Sequence, residues 1–175
     1  MYMKQELTSI TTLHNLLDYE ASKFSSAEVQ LSNALPHWIS KAGSVKLKNV
    51  LQKYRDDIGT HLANLEEFVD AERLISLSLT NRIMKAYIDD TNEKLELCTD
   101  PEVTDACLLA SIQMINHFKI SAYGTAAAFA ITLSMEKAAT FFHEAEVHEK
   151  QIDDRLTQLA KYEINSRAKS PIVLP

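Results

Sequence analysis

Leu108-Leu109-Ala110-Ser111-Ile112-Gln113-Met114-Ile115-Asn116-His117-Phe118-Lys119-Ile120-Ser121-Ala122-Tyr123, continuing through Gly124 to Leu133, holds one glycine and no proline. Leu108, Ile112, Ile115, Ala122, Ala126, Phe129 and Leu133 recur in steps of three and four, with Lys119 as the one charged member of the series. That is the spacing of a helix face turned to a core. Asp100-Pro101-Glu102 just upstream is a helix start, with an N-cap acid, proline at the first helical position and negative charge in the first turn. Between Ala122 and Leu133 the segment is apolar almost all round, so it is buried on several sides.

The rest of the chain repeats this character. Its 175 residues include three glycines and four prolines, and 46% are hydrophobic. Sheet folds need many tight turns, and a chain this short of Gly and Pro lacks the residues for them. Long helices remain, and the length suits one domain with a real core. Helix A is expected from Ser9 to Ala42, bent locally at Pro36, and to end at Gly43 in a left-handed position. Helix B starts at Ser44 as N-cap and runs to Ser78. A short amphipathic helix through Ile83, Met84, Tyr87, Ile88 and Leu95 follows, then helix C from Asp100 to Leu133. Ser134 caps helix D, which runs to Ile164. The tail 166–175 has two prolines and no period. Turns this short make A pack antiparallel to B, and C to D. The predicted fold is all-α: an antiparallel four-helix bundle over 1–165, with a long crossover carrying a short extra helix.

Each long stripe contains an ionisable residue. In A it reads Leu17, Ala21, Phe24, Glu28, Leu31, Leu35, Trp38; in B, Leu47, Leu51, Tyr54, Ile58, His61, Leu65, Phe68. In C it is interrupted by Lys119. In D it reads Ala138, Phe142, Ala145, Glu149, Ile152, Leu156, Leu159. Asp57 follows Glu28 by 29 positions and Glu149 follows Lys119 by 30; His61 and Asp153 each follow those acids by four. At about 1.5 Å per residue, the six groups fall within about two turns along the axis. Burying an unpaired charge costs several kcal/mol, so such a layer must pair internally or hold a metal. Carboxylates with an imidazole suit iron or manganese. Glu28, Asp57, His61, Glu149 and Asp153 are therefore candidate ligands.

Several segments resemble the YciE/YciF group of ferritin-like, stress-associated bacterial proteins. They are Ala27-Glu28-Val29-Gln30-Leu31 with Ala34-Leu35-Pro36, His61-Leu62-Ala63-Asn64-Leu65-Glu66, Asn116-His117-Phe118-Lys119 with Ala122-Tyr123-Gly124-Thr125, and His148-Glu149 with Asp153 and Leu156. The resemblance spans residues 10–165. It implies a ferritin-like bundle, a homodimer and a di-metal centre, with no assigned reaction. At Lys119 this chain departs from the family, which places Glu there. An ammonium is a donor only and cannot ligate a metal while protonated. The favoured expectation is thus a non-enzymatic, stress-related protein without cofactor, in which Lys119 is a buried counter-ion. The alternative is an iron or manganese protein handling oxygen or peroxide.

Other signals are weaker. The net charge of −6 does not favour nucleic acid as a partner, and no apolar run reaches the ~20 residues of a membrane span. Cys98 and Cys107 form no disulfide framework and no metal spacing, which suggests ordinary thiols in a reduced, cytoplasmic setting. His143 and His148 stand about 140° apart around a helix, so they do not make a zinc-protease pair.

Overall fold

The computed structural model describes residues 9–72 and 79–169. Every regular element among them is helical: α1 (Leu13–Lys41), α2 (Val45–Ala71), α3 (Arg82–Leu97), α4 (Pro101–Thr132), α5 (Glu136–Leu159), a π-helical turn (Ala160–Ile164) and α6 (Asn165–Ala168). The all-α expectation therefore holds. None of these helices is long and apolar enough to cross a membrane.

Boundaries differ from expectation where local chemistry decides them. α1 begins at Leu13 rather than Ser9, because Thr12 is the N-cap and its side chain accepts from Asn15 N. It runs unbroken through Pro36. Gly43 does not adopt a left-handed conformation; no glycine has positive φ among the described residues. Its small size matters instead. A Cβ there would lie 3.3 Å from Asp105 Oδ2, and that carboxylate accepts from Gly43 N at 2.7 Å and Ser44 N at 2.8 Å. Ser44 does cap α2, accepting from Leu47 N. α2 ends at Ala71; the remainder of its expected length, 73–78, lies outside the described residues.

Ser134 is not the N-cap of α5. It has φ 57° and ends α4, with Ser134 N bonded to Ile131 O and Met135 N to Ala130 O. These crossed bonds form the Schellman arrangement, which usually uses glycine because a side chain in the left-handed region costs ~1–2 kcal/mol. Helical structure also continues past Ile164 through Ala168, into the expected tail. Residues 170–175 lie outside the described set.

α1 packs on α2 and α4, α5 on α4 and α2, and α3 lies against α1 and α4. Trp38 Nε1 donates to Asn92 Oδ1 at 2.8 Å, and Asn81 Nδ2 donates to Lys23 O at 3.1 Å, fastening both ends of α3 to α1. The core is in two parts. One gathers Leu31, Trp38, Leu47, Ile58, Ile112, Ile152 and their neighbours. The other gathers Leu17, Phe24, Phe68, Tyr123, Ala130, Phe142 and theirs. Residues early in α1 thus meet those late in α2 and α4 and early in α5. Between the two apolar parts lie Glu28, His61, Lys119 and Glu149.

Candidate functional site

Four helices each send one ionisable side chain to this level, and all four are at most 3% exposed. Lys119 Nζ on α4 lies 2.9 Å from Glu28 Oε2 on α1 and 2.5 Å from Glu149 Oε1 on α5. Both contacts are buried ion pairs. His61 Nδ1 on α2 lies 3.3 Å from Glu28 Oε1 and 3.6 Å from Glu149 Oε1.

Further polar groups close the shell. Tyr123 donates its hydroxyl to Glu28 Oε1. Glu149 Oε2 accepts from Tyr54 OH at 2.9 Å and from Asn116 Nδ2 at 2.7 Å. The ammonium also sits 4.6 Å from the centre of the Tyr54 ring, a cation–π contact. On the outer side of His61, the half-buried His148 ring stacks at 5.6 Å, with Nδ1 3.4 Å from His61 Nε2.

Charge and burial act on these groups unequally. Burial works against Lys119 as a cation, but Glu149 and Glu28 more than offset it, and its pKa lies above the ordinary lysine value. Burial likewise opposes ionisation of Glu28, yet Lys119 and the bonds from His61 and Tyr123 hold its carboxyl below the usual range. For Glu149, burial prevails despite Lys119, and the neighbouring Glu28 charge adds to it, so the carboxyl is raised. Burial first, then carboxylate neighbours, pushes Tyr54 and Tyr123 well up, keeping both hydroxyls as donors.

The expected ligand set is only partly brought together. Glu28, His61 and Glu149 place donor atoms within 4.8 Å of one another. Asp57 instead pairs with Lys53, one turn back on its own helix. Asp153 accepts from Gln113 Nε2 at 3.3 Å and lies 3.1 Å from His117 Nε2 near the surface. Tyr54, Asn116, Tyr123 and His148 join the site without having been singled out for it. Asn116 and Tyr123 stand three before and four after Lys119, so one face of α4 carries all three.

Three converging donors could bridge one cation, but Lys119 stands against that use. Its ammonium contacts both carboxylates, has no lone pair to offer, and repels any cation beside it. The residues do not fit a two-metal group.

The helical fold and this ion-paired layer define the class: an all-α protein whose apolar core is divided by buried charge. The chain belongs to the family described as a domain of unknown function, DUF892, which matches residues 12–169. Protein YciF of Escherichia coli (strain K12) is 28% identical over 163 residues, covering 93% of this chain and 98% of YciF. The crystal structure of that E. coli stress protein matches with a TM-score of 0.83, covering 89% of this chain and 99% of its own. YcfI from Rhodopseudomonas palustris matches with a TM-score of 0.82 at 23% identity, over 86% and 96% of the two chains; that likeness concerns the fold alone.

Proposed function

We propose that this chain is a non-enzymatic, stress-associated protein built as a ferritin-like four-helix bundle, with α3 in the long crossover and Lys119 in place of a metal-ligand carboxylate. One observation carries the reading: the Lys119 ammonium at 2.9 and 2.5 Å from Glu28 and Glu149. It supplies the positive charge that a metal would otherwise provide. The stress association follows the description of E. coli YciF as a stress protein. The bundle acts as a homodimer in the cytoplasm, with neither nucleic acid nor membrane as partner, in keeping with its net charge of −6.

A second reading is a protein that binds iron or manganese and handles oxygen or peroxide. The convergence of Glu28, His61 and Glu149 within 4.8 Å favours it. Metal analysis of protein purified without chelator separates the two readings. The expected result is little iron or manganese in the wild type and clearly more in Lys119→Glu, whose new carboxylate completes a ligand set. Close to two metals per wild-type chain would overturn the first reading.

A further inference from the structure

α3 covers only part of the groove between α1 and α4. It is fastened to α1 at Asn81–Lys23 and Trp38–Asn92, and its Tyr87 ring stands 6.0 Å from Phe118 of α4. Towards the start of α1 and the end of α4, the groove continues as an open cleft of about 270 Å³. Leu16 and Phe24 from α1 and Phe118, Ala122 and Phe129 from α4 give it apolar walls. Phe24 is buried against Tyr123, with ring centres 5.8 Å apart, and the other four are half-buried. Leu16, Glu20 and Phe24 are spaced by four and so share one face of α1. Glu20 is the one charged residue of the lining. Lys23, the basic residue nearest to it along α1, lies over the Tyr19 ring at 5.2 Å.

The walls and the charge together select the occupant. Half-buried aromatic rings favour an apolar, ring-bearing body, and a carboxylate in the lining favours a cation and opposes an anion. A second copy of the chain is too large a partner for this cleft. Phe118 and Phe129 are eleven positions apart, about 16 Å of helix, and a helix is about 10 Å across. That strip is roughly a fifth of the ~800 Å² that each partner of a stable dimer buries. The volume also falls just under that of drug-sized pockets, which start near ~300 Å³, so a single ring with a short chain fits.

We propose that the α1–α4 cleft binds a small amphipathic cation: one aromatic ring carrying a primary ammonium on a short chain. The ring lies against Phe24, Phe118 and Phe129, and the ammonium pairs with Glu20. The site is separate from the buried charged layer and independent of whether that layer binds metal.

The test titrates phenylethylammonium into the full-length, isotopically labelled protein and follows the backbone amide resonances. The expected result is a saturable shift centred on Phe24, Ala122 and Phe129, with a Kd of about 1 mM. Glu20→Gln should weaken binding about fivefold. Ser121→Phe, at the exposed edge of the cleft, should fill it and abolish binding, with circular dichroism checking that the variant is folded. Phenylacetate has the same ring with the opposite charge, and methylammonium has the charge without the ring; neither should give a saturable shift. The proposal is overturned if phenylethylammonium fails to saturate by about 20 mM, or if its shifts spread over surface carboxylates at large. Equal binding of phenylacetate overturns it too, as does Glu20→Gln binding as tightly as wild type. Cleft resonances that follow protein concentration without ligand would mean that a second copy covers the site. Cleft resonances that move when residues 2–8 are deleted would mean that the chain's own N-terminal segment covers it. Either result also overturns the proposal.

Discussion

Glu28 and Glu149 face the same ammonium and are driven in opposite directions: Lys119, His61 and Tyr123 outweigh burial at Glu28, whereas burial, reinforced by the Glu28 charge, prevails at Glu149. The folded protein holds the Glu28 proton less tightly than the unfolded chain does. Its contribution to stability is therefore present above the ordinary carboxyl range and lost as pH falls through the lowered value. Glu149 behaves inversely: its contribution is present in acid and fades as pH rises through its raised value. The Lys119 contribution is complete below the ordinary lysine value and disappears only in strong alkali. At neutral pH, Glu28→Gln should thus cost about 2–3 kcal/mol in urea unfolding. Glu149→Gln should cost less, since an amide oxygen can still accept from Tyr54 and Asn116. The gap between the two variants should close as pH is lowered towards about 4; a gap that widens would contradict this account. The ionisable members of this cluster were legible as charges interrupting apolar stripes. Tyr54 was not, because periodicity counts a phenol ring as apolar filling and gives no weight to its hydroxyl; Asn116 and Tyr123 stand beside Ile115 and Ala122 of their stripe rather than on it. Asp57 sits on the edge of its stripe, where Lys53, one turn away, claims it.

At the scale of elements, helix existence was legible and helix ends were less so. Stripe spacing follows from the 3.6-residue repeat, but a helix end depends on which partner satisfies its free backbone groups. Gly43 and Ser134 show why. A glycine after a helix suggests a left-handed cap, yet the Asp105 carboxylate, 62 positions on, takes the Gly43 and Ser44 N–H groups. No local pattern announces a partner that distant. Serine is a common N-cap, and nothing in its neighbours signals the positive φ that Ser134 adopts. Asp105 therefore holds the α1–α2 turn to α4 through two charge-assisted bonds. Asp105→Ala should lower stability by about 3 kcal/mol, measured by thermal or urea unfolding, and Asp105→Asn by roughly half of that. An unchanged midpoint in Asp105→Ala would show that the turn holds its place without the carboxylate.

For the whole molecule, the division of the core matters most. Two apolar clusters lie on either side of one charged level, and the charges balance largely within the protein. Stability should accordingly not depend on a bound ion. Added EDTA should leave the melting midpoint unchanged, whereas a folded-state metal held tightly would contribute a few kcal/mol that chelation removes. A fall of several degrees on chelation would mean that a cation, not Lys119, balances the carboxylates. The layer has a further consequence for how the helices find one another. Smooth apolar stripes would tolerate a slide of one helix by a turn, about 5.4 Å, since one leucine replaces another. Here such a slide leaves an ammonium or a carboxylate stranded in hydrocarbon, at a cost of several kcal/mol. Glu28, His61, Lys119 and Glu149 thereby mark a single alignment of four helices and penalise the shifted packings that hydrophobicity alone would allow.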